Sequence, residues 1–206
     1  MRKFCLACFC FLLGVLLFAE PTFCEVCEKL SSRPNVTGNF IQQKTIQAVN
    51  RTLKSSGEFV LSHDGIAWKT LKPFSSTLVI GKTFIMQIKP DGSQTVIDTS
   101  ANQIFSSLSS ALTAMFSGDL SMLEETFSID FTYSAKNWTA YLVPKDDAVL
   151  AILKAITVSG ILTENSAELH QIVMTEPSAD TITYTFSEQH YPKELSADER
   201  AFFIAK

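Results

Sequence analysis

A period of two dominates the chain from residue 36 onward, and it favours a fold built mainly of β-strands. Between residues 181 and 186, three threonines alternate with Ile182, Tyr184 and Phe186, which is typical of a strand with one apolar face. Similar alternation recurs at 59–61, 78–80, 84–88, 129–133, 138–142 and 156–162. Turn signals separate these runs and few helical segments intervene. The pattern therefore predicts ten or eleven antiparallel strands.

One segment, residues 101–117, departs from this period. Its apolar side chains recur every three or four positions, which predicts a helix. Ser100 suits the N-cap of this helix and Gly118 suits its C-terminal end. The other face carries no charge and four serines, Ser106, Ser107, Ser109 and Ser110. Shorter helices are expected over 25–32, 120–125 and 146–154.

A large sheet with one apolar face must cover that face with a second sheet, by closing into a barrel, or with helices. Because the long apolar helix lies in mid-chain, we expect a strongly curved sheet wrapped around helices. The fold class is therefore mainly β with helices.

The N-terminus reads as an export signal. Arg2 and Lys3 precede an apolar run over residues 4–18, and this run of 15 residues is shorter than the roughly 20 needed to span a bilayer. Residues 1–19 are therefore predicted to be a signal peptide, with cleavage after Ala19 or as late as Cys24. The alternative is an uncleaved N-terminal anchor. A cleaved signal would mean that the mature protein is exported from the cytoplasm.

The net charge and the length of the mature chain limit its domain count and its possible functions. Loss of Arg2 and Lys3 changes the net charge from −4 to −6, over 187 residues. This length predicts one domain, residues 20–206, and the acidic balance argues against nucleic-acid binding. Cys24 and Cys27 remain after cleavage at residue 19 and form either a local disulfide or two incidental thiols.

Catalytic and metal-binding patterns are absent from the sequence. His63, His170 and His190 have no partners at metal-ligand spacing, and no G-x-S-x-G motif occurs. We therefore expect neither enzymatic activity nor a cofactor or metal. The chain is instead rich in phenylalanine, with Trp68 and Trp138 in addition. Such residues suit an ordinary core or the lining of an apolar cavity, and composition alone favours the core.

Several short motifs follow one another in an ordered series along the mature chain. Residues 38–44 (Gly-Asn-Phe-Ile-Gln-Gln-Lys) contain an F-x-Q element, and a strand at 57–61, Trp68, Lys72-Pro73 and an apolar triplet before Gly81-Lys82 come after it. The segments 131–133, 141–145 and 182–186 continue the series. In these motifs and their order the chain resembles the LolA family of periplasmic lipoprotein carriers, and the resemblance covers most of the mature chain.

The resemblance implies an incomplete, unclosed antiparallel β-barrel of about eleven strands, with its hydrophobic concavity capped by helices. It implies a monomeric carrier that receives an acylated lipoprotein or lipid from an inner-membrane release complex and passes it to an outer-membrane acceptor. The segment 101–117 is the candidate lid. The predicted cavity and lid residues are Phe40, Phe59, Trp68, Leu78, Ile80, Phe84, Met86, Phe105, Leu108, Leu112, Met115 and Phe116.

The chain departs from the family pattern at one position. Family members place an arginine shortly before the tryptophan, whereas residues 63–67 here are His-Asp-Gly-Ile-Ala. Any control of the lid by that arginine is therefore absent or performed differently. The alternative interpretation is an envelope module of the same fold that senses lipid or binds a protein partner.

Overall fold

The structure of the protein is a computed structural model, and it describes residues 20–81, 84–97 and 103–204. The side chains of residues 97, 103–106, 108 and 109 are not among those described. The predicted signal peptide and the predicted N-cap Ser100 lie outside the described residues.

Eleven strands and five α-helices make up the described chain. The strands are β1 (Asn35–Ile46), β2 (Arg51–Ser62), β3 (Gly65–Lys72), β4 (Ser76–Gly81), β5 (Ile85–Ile88), β6 (Gln94–Ile97), β7 (Phe127–Ser134), β8 (Asn137–Pro144), β9 (Ala155–Leu162), β10 (Ala167–Thr175) and β11 (Thr181–His190). The helices are α1 (Phe23–Ser31), α2 (Gln103–Ser117), α3 (Leu120–Thr126), α4 (Asp147–Leu150) and α5 (Ala197–Ala201), and a short 3₁₀ turn spans Gln47–Val49.

All eleven strands belong to one antiparallel sheet. The strand order is β6-β5-β4-β3-β2-β1-β11-β10-β9-β8-β7, so β1 and β11 pair in the middle and β6 and β7 form the two edges. The predicted fold class is therefore confirmed: the fold is mainly β with helices, and its antiparallel sheet is not closed into a barrel. The twist that each strand pair contributes curves a sheet of this size, and we call concave the face against which α1, α2 and α3 pack.

The concave face of the sheet holds the main core. Inward side chains from most strands pack there against α1, α2 and α3. The helices contribute Val26 and Leu30 from α1, Leu112 and Met115 from α2, and Leu123 from α3, all of them buried. The helices therefore cover the apolar concavity, as the one-sided period of the strands predicted.

A second, smaller core lies on the convex face. It joins Val60, Ala67, Val79 and Met86 from β2–β5 to Leu195, with Phe84, Ile88, Phe202 and Phe203 packed against it. Residues of β2, β3 and β4 are consequently buried on both faces, as in the consecutive buried residues Phe59, Val60 and Leu61. The strands β7–β11 keep the simple alternation of buried and exposed positions.

The helix ends follow local capping chemistry. The Ser196 hydroxyl accepts a bond from the Glu199 backbone N–H, and the Glu199 carboxylate accepts one from the Ser196 backbone N–H, which forms a capping box for α5. Helix α5 was not predicted, although the S-x-x-E pattern at 196–199 is a local signal for a helix start. The helix predicted over 146–154 is shorter, because the chain after α4 turns so that the Lys154 N–H can bond the Thr175 carbonyl. Gly118 ends α2 with a φ of +74°, as predicted.

None of the helices in the described part of the chain is long and apolar enough to cross a membrane.

Candidate functional site

An apolar pocket lies between the concave face of the sheet and α2. Its sheet side comes from β1, β2, β3, β10 and β11, and its helix side comes from Leu112 and Phe116 of α2. Nine of its ten lining residues are apolar: Val36, Phe59, Leu61, Ile66, Trp68, Leu112, Phe116, Leu169 and Phe186, with Gln189 as the tenth. We call this pocket the concave cavity.

Aromatic rings form a continuous band across the sheet at this place. The Phe59 and Phe186 rings meet edge to face with centroids 4.9 Å apart. Tyr184 lies beside them, 5.8 Å from Trp68 and 5.9 Å from Phe40. The sheet register creates the band, because Phe59 pairs directly with Trp68 across β2 and β3 and Trp68 pairs with Leu78 across β3 and β4. Burial raises the pKa of the Tyr184 hydroxyl above its ordinary value, so this side chain stays neutral.

Little free space remains inside the concave cavity. The space inside the concave cavity that a water-sized sphere can occupy is about 10 Å³, which is close to the minimum for a single water molecule. Leu112 is buried and Phe116 is half-buried where α2 meets the sheet. A ligand larger than water can therefore enter the concave cavity only if α2 or its neighbours move away from the sheet.

Two buried polar atoms have no partner among the described residues. They are the indole Nε1 atoms of Trp68 and Trp138, and both are inaccessible to solvent. Leaving a buried donor unpaired costs about 1–3 kcal/mol, so most buried donors in folded proteins are paired. Trp68 lines the concave cavity, whereas Trp138 is not among the lining residues.

The structure brings together most of the predicted cavity residues. Those buried in the concave core are Phe40, Phe59, Trp68, Ile80, Leu112 and Met115. Leu78 and Phe116 pack against it and are partly buried. The side chains of Phe105 and Leu108 lie outside the described residues.

Phe84 and Met86 lie on the opposite, convex face, in contact with the C-terminal segment. The alternation at 84, 86 and 88 predicted that these residues share the inward face of a strand. In the structure Ile85 points into the concave core instead. Because the residues at 84, 85, 86 and 88 are all apolar, alternation could not indicate which of the two sets faces inward.

Five lining residues were not among the predicted ones: Val36, Leu61, Ile66, Leu169 and Phe186, in addition to Gln189. Phe186 carried a usable signal, since it belongs to the regular alternation at 182–186. Leu61 and Ile66 flank the turn between β2 and β3 and pair with each other, so their common face could have been inferred from that turn.

Other chemistry is sparse in the described part of the chain. No group of three or more His, Cys, Asp or Glu side chains lies where it could hold a metal ion there. His63 and His190 are exposed, and His170 is half-buried with its Nε2 atom 3.2 Å from a Glu168 carboxylate oxygen. These histidines lie outside the lining of the concave cavity.

The chain matches a known protein family over most of its length. A family model described as outer membrane lipoprotein carrier protein LolA matches residues 32–202. No curated protein sequence is significantly similar to the chain.

Several solved structures are similar to the chain. A DUF1329 family protein from Desulfovibrio piger is 10% identical, with a TM-score of 0.52 over 88% of this chain and 94% of that one. An outer membrane lipoprotein-sorting protein domain from Vibrio parahaemolyticus is also 10% identical, with a TM-score of 0.44 over 88% and 98%. A LolA superfamily protein from Nitrosomonas europaea is 9% identical, with a TM-score of 0.44 over 84% and 94%.

Proposed function

The chain belongs to the LolA family, and from this premise we propose that it is a periplasmic carrier that shields the acyl chains of a lipoprotein or lipid in the concave cavity. The observation that carries the proposal is the lining of this cavity, in which Gln189 is the single polar residue out of ten. Such a lining suits hydrocarbon. No covalent chemistry is required of it.

Binding would exchange helix contacts for lipid contacts. Moving an acyl chain out of water contributes roughly 0.8 kcal/mol per buried CH₂ group. In the structure, Leu112 and Phe116 of α2 occupy that place against the aromatic band. Cargo that displaces them buries its own apolar surface and exposes theirs, so loading and release can lie close in free energy. This exchange makes α2 the candidate lid.

The route of the cargo follows from the family premise and the predicted signal peptide. Residues 1–19 would direct export and residues 20–206 would form the carrier domain. The carrier would receive its cargo from an inner-membrane release complex and deliver it to an outer-membrane acceptor, acting as a monomer. Neither step requires a cofactor or catalysis.

Uptake of an acyl probe tests the proposal. Delipidated protein is expected to bind a fluorescent acyl chain with a stoichiometry of one or a few probes. Phe116→Ser should weaken this uptake, since it places a hydroxyl in the apolar lining. The control variant is Phe74→Ser, because the Phe74 side chain is 82% exposed and would contribute only to nonspecific surface binding.

The proposal would be contradicted if the delipidated protein took up no acyl probe under any condition. Equal losses in Phe116→Ser and Phe74→Ser would show that binding occurs on the surface. Mass spectrometry of lipid that copurifies with natively expressed protein would identify the cargo directly.

The small free volume of the concave cavity favours a second candidate function. A domain whose helices already fill its concavity could act as an envelope module that binds a protein partner or senses lipid. This candidate predicts stable binding to a protein partner without extraction of lipid from membranes, whereas a carrier must extract it.

A further inference from the structure

The indole N–H of Trp68 is a buried hydrogen-bond donor without an acceptor in the described part of the chain. Trp68 is 4% exposed, its Nε1 atom is inaccessible to solvent, and no described residue accepts a bond from it. The side chain lies in the wall of the concave cavity. An unpaired buried donor is rare in folded proteins and is energetically unfavourable, so an acceptor on a ligand in the cavity would stabilise the Trp68 indole.

The other polar side chain of the cavity wall has a partner for its nitrogen and one for its oxygen. The Gln189 amide nitrogen donates to the Leu169 carbonyl oxygen at 2.5 Å. The Gln189 side-chain oxygen accepts from the Tyr191 hydroxyl at 3.1 Å. Among the lining residues, the Trp68 indole is therefore the side-chain polar group that has no partner in the described part of the chain.

The charge of the lining narrows the chemistry of that ligand. No Lys, Arg or His is among the ten lining residues, so an anionic carboxylate would enter without a compensating cation. A buried unpaired charge is strongly unfavourable. A neutral carbonyl oxygen can accept the indole N–H without that penalty.

We propose that Trp68 selects cargo in which acyl chains are attached through neutral ester or amide groups, by donating a hydrogen bond from its indole N–H to the acyl carbonyl oxygen. This inference rests on the proposed carrier function and adds a specificity-determining contact to it. It predicts discrimination against ether-linked chains, which lack the carbonyl, and against free fatty-acid anions.

Trp138 provides a matched control for this contact. Its indole Nε1 is also buried and without a described partner. The centroids of the Trp138 and Phe23 rings lie 6.5 Å apart. The indole also lies beside Gly160, where an added Cβ would be 3.0 Å from Nε1. It is not part of the cavity wall, so removing its N–H should leave ligand selection unchanged.

The test compares two probes on the full protein. One is a pyrene-labelled diacylglycerol with ester-linked chains, and the other is its dialkyl ether analogue of equal chain length. Because a neutral hydrogen bond contributes modestly in net terms, the wild type should bind the ester about three- to tenfold more tightly than the ether. Trp68→Phe should reduce this ratio to near unity, whereas Trp138→Phe should keep it.

The outcomes separate the inference from the proposed function. If both probes bind the wild type equally well, or if Trp68→Phe keeps the preference, the contact is absent while the carrier function stands. If neither probe binds the wild type, the carrier function itself fails and this inference fails with it.

A second measurement does not depend on the folding of a variant at position 68. The chain has two tryptophans, so ¹⁵N-labelled protein gives two indole N–H resonances, and Trp138→Phe assigns them by removing one. The ester probe should shift the Trp68 resonance downfield relative to the ether probe. Identical shifts with the two probes would overturn the proposal.

Discussion

Two cysteines of α1 occupy opposite environments only one helical turn apart. Cys24 is exposed, with its Sγ atom 3.6 Å from a Glu28 carboxylate oxygen. Cys27 is fully buried in the concave core. Both are free thiols in the structure. Of the two alternatives that the sequence left open, a local disulfide and two thiols, the structure has the two thiols. Burial, followed by the nearby Cys24 and Glu28, raises the pKa of the Cys27 thiol to about 12.

We therefore expect selective alkylation of these thiols. The thiolate is the reactive form, and at pH 8 Cys27 is almost entirely a neutral thiol because its pKa lies far above that pH. Iodoacetamide should modify Cys24 readily and Cys27 only when denaturant exposes it, as measured by peptide mass spectrometry. Equal modification of the two under native conditions would mean that α1 does not pack against the core as described.

At the scale of single residues, the sequence predicted which side chains belong to the apolar core better than it predicted which face of a strand they occupy. The family resemblance implied that Phe59 and Trp68 line one cavity, and the register places them side by side. The sequence could not decide the orientation of residues 84–88, because both faces of β5 are apolar there. It also could not show that the indole of Trp68 lacks a partner, since that depends on how residues distant in sequence pack around it.

The C-terminal ends of α1 and α2 meet on the concave face. Gly118 ends α2 in a left-handed conformation, and a Cβ atom added there would lie 3.4 Å from the Cβ of Ser31 at the end of α1. This separation is close to the range of about 3.5–4.5 Å found in disulfides. The C-terminal end of α2 and that of α1 can therefore be cross-linked with little movement.

A cross-link between Ser31→Cys and Gly118→Cys should slow cargo uptake if α2 is the lid. The change is made together with Cys24→Ser to prevent mispairing. The oxidised protein is expected to take up the acyl probe more slowly than wild type, because α2 cannot leave α1. Reduction of the disulfide should restore the rate, and the reduced variant serves as its own control for the strain of a non-glycine residue at 118. Unchanged uptake after oxidation would show that entry does not separate α2 from α1 at this point.

Most elements could be predicted, and the exceptions have physical reasons. The long helix was expected over 101–117 and is described over Gln103–Ser117, because its period and its terminal glycine are local signals. The convex layer was not anticipated. It forms because Leu195, Phe202 and Phe203 return to the outer face of β2–β5, a contact between distant segments that local periodicity does not encode.

Over the whole molecule, one core couples the sheet to its helical cover. A ligand that binds only the folded state stabilises that state by mass action, by about 2.7 kcal/mol when its free concentration is 100 times Kd. For a chain of this length the gain corresponds to a rise in Tm of roughly 5–10 °C. Calorimetry with a saturating acyl probe should show this rise, and the headgroup alone should give none. An unchanged Tm at saturation would contradict binding to the folded state.

At this scale the fold class was predictable and the state of the cavity was not. The number of antiparallel strands follows from alternation and turn signals, and the unclosed barrel followed from the family resemblance. The free volume of about 10 Å³ depends on how closely Leu112 and Phe116 approach the sheet. Packing distances of this kind arise from the folded structure as a whole.

The convex layer has a mechanical consequence for the sheet. Strands β2–β5 are clamped between two apolar layers, whereas β7–β11 carry alternating exposed side chains on their outer face. Bending the first half disturbs packing on two sides, and bending the second half disturbs it on one. The sheet thus has a stiffer half, β2–β5, and a more deformable half, β7–β11. Cargo of different size would be accommodated by deformation of β7–β11, while Phe59 and Trp68 keep their positions on the stiffer half.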